Sequence, residues 1–132
     1  MASLGSSDTP VRPIQALYYL ASGVWPLLSI RTFEAVTGPK REDWLVRTVG
    51  VLVSVVGLVA LRHRGPVVRD LSVGSALALG AVDVVGVASG RLRPVYLVDA
   101  VAEAGFVAGW LAPALIRRAP RAPSSGSPPA AR

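Results

Sequence analysis

Four apolar stretches, at 14–30, 44–61, 71–90 and 95–116, take up most of this 132-residue chain. They run for 17, 18, 20 and 22 residues. At 1.5 Å per residue, a helix of the shortest length spans roughly 26 Å, close to a hydrocarbon core of about 30 Å. Core strands are much shorter, and a membrane barrel needs at least eight segments of alternating pattern, each about ten residues long. The blocks therefore predict an all-α protein, a four-transmembrane-helix bundle running up-down-up-down, with disordered tails at 1–13 and 117–132. Asp8 and a lone Arg12 make a poor signal-peptide start, so the first block reads as a retained helix.

Only 17% of the residues are charged and mean hydropathy is +0.49, whereas soluble domains carry about 25% charge. Cysteine is absent, which excludes disulfides, thiolate metal sites and cysteine nucleophiles. The only histidine, His63, and the only lysine, Lys40, fall between the blocks. Haem held by two histidines, a retinal-type Schiff base in a span and a carboxylate-histidine di-metal site all lack their residues, and no cofactor or metal is expected. The net charge of +6 invites a nucleic-acid reading, but most basic residues flank apolar blocks and no aromatic-basic motif accompanies them. The expected partner is the lipid bilayer, with a membrane protein or a second copy of the chain as further candidates, and no nucleic acid.

Between the blocks, 31–43 is a loop broken at Gly38-Pro39, its first part able to lie along the interface through Phe33 and Val36. Residues 62–70 form a second loop and 91–94 a tight connection. Four spans place both tails on one side, together with Arg12, Arg62, Arg64, Arg69, Arg117, Arg118, Arg121 and Arg132. The opposite side has Arg31, Lys40, Arg41, Arg91 and Arg93, offset by Glu34, Glu42 and Asp43. That bias puts both termini in the cytoplasm.

Four ionisable residues lie within the spans: Arg47, Asp83, Asp99 and Glu103. Each costs about 2.5–3.5 kcal/mol at a helix centre, so each needs compensation. With alternating helix directions all four fall in the non-cytoplasmic half, at overlapping depths. Asp99 and Glu103, four apart, share a face. Arg47 shares a stripe with Gly50, Ser54 and Gly57, Asp83 shares one with Gly80, and Gln15, Tyr18, Ser22, Trp25 and Ser29 line the first helix. Gln15, Tyr18, Ser22 and Ser54 are the expected polar lining.

Two readings of the cluster stand side by side. In one, Arg47 pairs with Asp99 or Glu103 and fixes how the helices register. In the other, three acids against one base leave carboxyls that must take up protons, bind a cation or reach water. Catalysis is disfavoured, because no nucleophile, histidine base or cofactor motif accompanies the acids.

The four short spans, Arg47-x-x-Gly50 with a second Gly57, Arg91 after the third span and Glu103 in the fourth resemble small bacterial four-helix membrane proteins, nearest the DoxX-like superfamily. The resemblance covers roughly residues 12–116. It implies a bacterial inner-membrane location and marks Arg47 and Glu103 as positions to watch. Some relatives are implied to be subunits of quinone-linked oxidoreductases. The expected function is ligand binding or proton- or cation-coupled transport, the alternatives being an accessory oxidoreductase subunit and a purely structural membrane protein.

Overall fold

A computed structural model describes residues 9–118, which form five helices and no strand. They are α1 (Val11–Leu28), α2 (Ile30–Thr37), α3 (Asp43–Arg62), α4 (Pro66–Ala88) and α5 (Tyr96–Arg118). The expected tails are thus trimmed by helix at both inner edges, since α1 begins at Val11 and α5 runs on through Arg117 and Arg118. Residues 1–8 and 119–132, the rest of those tails, lie outside the described residues.

The loops are shorter than the blocks suggested, for local reasons. Ser29 ends α1 in an extended conformation and caps α2, accepting a bond from the Thr32 amide. Half of the expected 31–43 loop is therefore helix. Trp25 fastens the corner, donating to Thr32 Oγ1 at 2.9 Å and meeting Phe33 edge-on. Pro66 starts α4 at its first position, where a missing N–H costs nothing, which shortens the 62–70 loop to 63–65. After α4, Gly90 adopts φ 73° while the Arg91 and Leu92 amides both bond the Gly86 carbonyl, turning the chain toward α5.

Helices α3, α4 and α5 are long and apolar enough to cross a membrane. Helix α1 is less apolar, because Arg12, Gln15, Tyr18, Tyr19 and two prolines sit in its 18 residues. It packs antiparallel on α3, with backbones nearly touching. A Cβ on Gly23 would sit 2.6 Å from the Gly50 carbonyl oxygen, and one on Gly57 would sit 2.9 Å from that of Ala16. Small residues at this spacing allow such an approach. Ser54 belongs to this seam, its hydroxyl bonding Gly50 O in its own helix at 2.7 Å. Helix α4 packs on α5, and side chains of α1 reach across to both.

Burial runs opposite to that of a water-soluble protein. Arg12, Gln15, Ser72, Asp83 and Glu103 are buried, while Ile14, Leu17, Leu52, Val82, Val98 and Val101 are exposed. An exterior of this kind is matched by lipid rather than water.

Candidate functional site

The interior polar groups are built from α1, α4 and α5. Tyr18 and Tyr19, adjacent on α1, point about 100° apart and reach different acids of α5. The Tyr18 hydroxyl donates to Asp99 Oδ1, and the Tyr19 hydroxyl donates to Glu103 Oε2 at 2.8 Å. Asp99 and Glu103, four residues apart, meet the two rings one turn from each other. Phe106 lies edge-on to both, with centroid distances of 5.3 and 6.2 Å, so the three rings pack together beside the acids.

Asp83 of α4 completes the group. It is buried and lies beside Asp99. Its Oδ2 has no partner. Gly80, one turn earlier, brings α4 close to the acid helix: a Cβ there would lie 3.3 Å from Glu103 Cβ. Among the described residues no three acidic or histidine side chains converge closely enough to hold a metal ion.

A second polar layer lies one turn earlier along α1. Gln15, fully buried, donates through Nε2 to the Ser72 carbonyl at 3.0 Å and accepts from Trp110 Nε1 at 2.7 Å. One amide thus joins α1, α4 and α5. The Ser72 hydroxyl is buried beside it without a partner.

At the acid end, the 38–41 segment folds onto the start of α5. The Lys40 amine donates to Thr37 O at 3.0 Å and sits 4.8 Å from the centre of the Tyr96 ring, one turn above Asp99. Arg93 packs so closely on Gly38 (φ 92°) that a side chain there would strike its guanidinium.

Of the residues expected to gather, Asp83, Asp99, Glu103, Gln15 and Tyr18 share the α1–α4–α5 interior. Ser22 is half-buried and bonds Tyr19 O in its own helix. Arg47 stands apart: it is exposed and makes no ion pair among the described residues, in place of the pairing with Asp99 or Glu103 expected for it. The reason lies in the tight contact of Gly50 with Gly23 and Pro26. That contact presents the Gly50 face of α3 to α1, and leaves Arg47 one turn from the helix start, where a long side chain reaches the interface.

Sequence reasoning missed Tyr19, Ser72, Phe106 and Trp110. Only the four-residue spacing of Gln15 and Tyr19 signalled a second polar line on α1. It also missed Arg12, expected in the tail. Arg12 is buried, and its Nη1 donates to Ala60 O at 2.7 Å and Leu61 O at 3.1 Å, satisfying carbonyls at the end of α3.

Neither a known protein family, nor a curated protein, nor a solved structure matches the chain.

Proposed function

We propose that the chain is a four-pass membrane protein of the bacterial inner membrane, with both termini cytoplasmic, that takes up and hands on protons through its tyrosine–carboxyl cluster. In this reading α1, α3, α4 and α5 cross as an up-down-up-down four-helix bundle. Helix α1 is carried across despite its polar residues because Gln15 and Tyr19 turn inward while Ile14 and Leu17 turn out.

The observation that supports this best is the buried Asp83, beside Asp99 and with one oxygen lacking any donor. Two carboxyls side by side away from water hold one charge between them rather than two. With Arg47 exposed, a proton is the counter-charge nearest to hand. Tyr18 and Tyr19 each carry a hydroxyl that both donates and accepts, which suits Tyr18 to exchange a proton with Asp99 and Tyr19 with Glu103.

The test is proton flux in liposomes holding a pH-sensitive dye, driven by a potassium diffusion potential. Vesicles with the full chain should acidify or alkalinise with the sign of the potential, and Glu103→Gln and Asp83→Asn should abolish the flux with helicity unchanged. Flux no greater than in empty vesicles, or equal flux in the variants, overturns the reading.

A further inference from the structure

The end of the molecule opposite the acids is strongly basic. The bond from Arg12 to the end of α3 shows that the start of α1 and the end of α3 lie together. The Gln15–Ser72–Trp110 layer brings the start of α4 and the last turns of α5 to the same end. Among the described residues that end therefore gathers Arg12, Arg62, Arg64, Arg69, Arg117 and Arg118, with Asp70 as the acid among them. Asp70 is taken by Arg69 at 2.9 Å.

Three of these guanidiniums have no acidic partner among the described residues. Arg62 needs no role in capping its own helix, because Arg12 already bonds the Ala60 and Leu61 carbonyls. Arg117 bonds only the Pro113 carbonyl, at 3.3 Å, and Arg118 is exposed. Directly beneath them lies a collar of exposed apolar side chains: Leu61, Val67, Leu115 and Ile116. The other end also carries six basic residues (Arg31, Lys40, Arg41, Arg47, Arg91 and Arg93), but with Glu34, Glu42 and Asp43 among them. Two of those six are engaged internally, Lys40 on Tyr96 and Arg93 against Gly38.

We infer that Arg62, Arg117 and Arg118 form a docking surface for anionic phospholipid headgroups. A guanidinium fork matches a phosphate bidentately, and the apolar collar sets the arginines at the depth of the headgroups when the acyl chains lie along α3, α4 and α5. A zwitterionic headgroup offers the same phosphate but brings its own cation, which cancels the gain. This inference needs the helices to lie in a bilayer and is independent of any proton transfer.

The test is lipid retention by the full chain, read by native mass spectrometry from detergent loaded with equal amounts of phosphatidylglycerol and phosphatidylcholine. Phosphatidylglycerol should be retained preferentially. Each exposed arginine at a membrane surface is worth about 1 kcal/mol, roughly fivefold, so Arg62→Gln/Arg117→Gln/Arg118→Gln should cut that preference by at least about tenfold. The triple Arg31→Gln/Arg41→Gln/Arg47→Gln, which removes equal charge from the other end, should leave the preference within about twofold. Equal retention of both lipids by the unaltered chain overturns the inference, as does an equal loss in the two triple variants, which would show net charge alone at work.

Discussion

The Tyr19 hydroxyl donates to Glu103 Oε2 at 2.8 Å across the α1–α5 seam, where each residue keeps only 1% of its surface exposed. It is one of few polar links between those helices. Tyr19→Phe keeps the ring against Phe106 but leaves a fully buried carboxyl oxygen without a donor. An orphaned buried acceptor costs about 1–3 kcal/mol. Glu103→Gln retains an acceptor for the same hydroxyl and should cost less than Tyr19→Phe. Denaturant unfolding in mixed micelles measures both, and a Tyr19→Phe protein within about 0.5 kcal/mol of the unaltered chain would contradict the role given to this bond.

Much of the fold was legible because lipid demands long uninterrupted blocks: α3 was expected at 44–61 and spans Asp43–Arg62. Helix α1 was harder to bound, since Arg12 looks like a tail residue until the carbonyls of Ala60 and Leu61 are seen beside it. Within the site, the spacing of Asp99 and Glu103 and the presence of Asp83 were readable from helical periodicity. The partner of the acids was not. Electrostatics alone favours Arg47, but the facing of α3 is decided by glycine contacts with α1, and these are stronger constraints on rotation than one mobile guanidinium. Tyr19 and Trp110 were hidden for another reason: aromatic residues in spans serve equally as interface anchors, and only tertiary packing distinguishes the two uses.

The α1–α3 seam should be intolerant of added volume. A methyl at Gly23 would stand 2.6 Å from the Gly50 carbonyl oxygen, and the two backbones would have to separate. Gly23→Ala and Gly50→Ala should each destabilise by about 1–3 kcal/mol. Gly74 and Gly105 have open space where a side chain would go, so Gly74→Ala and Gly105→Ala should leave stability within about 0.5 kcal/mol or raise it. Thermal melts in one detergent compare the four, and equal losses at all four positions would refute close packing as the cause.

Arg12 should matter more than an ordinary juxtamembrane arginine. It bonds two helix-terminal carbonyls from a buried position, and hydrogen bonds from a charged group are worth about 1.5–3 kcal/mol. Arg12→Gln should lower stability by about that amount, whereas Arg62→Gln, at an exposed neighbour, should change it by less than about 0.5 kcal/mol. Comparable unfolding midpoints for the two variants would remove Arg12 from the contacts that hold α1 on α3.

Arg47 gives the sharpest contrast with the acids. Exposed and without an ion pair among the described residues, it should be replaceable: Arg47→Gln is expected to leave stability within about 0.5 kcal/mol. Asp83→Asn, by contrast, supplies amide hydrogens to a crowded acid pair, and should hold or raise stability while removing a proton-binding group. Because Arg47 and the acids do not share partners, combining Arg47→Gln with Asp83→Asn or Glu103→Gln should give additive effects, with a coupling energy below about 0.5 kcal/mol. The charge-swapped double variant Arg47→Glu/Glu103→Arg should rescue nothing, since position 47 is exposed and a guanidinium at position 103 would meet Asp83 and Asp99 rather than the new carboxylate. A coupling above about 1 kcal/mol between Arg47 and any one of the three carboxyls would restore the ion pair. It would also supply the cluster with a resident counter-charge, and so undercut the case for a mobile proton.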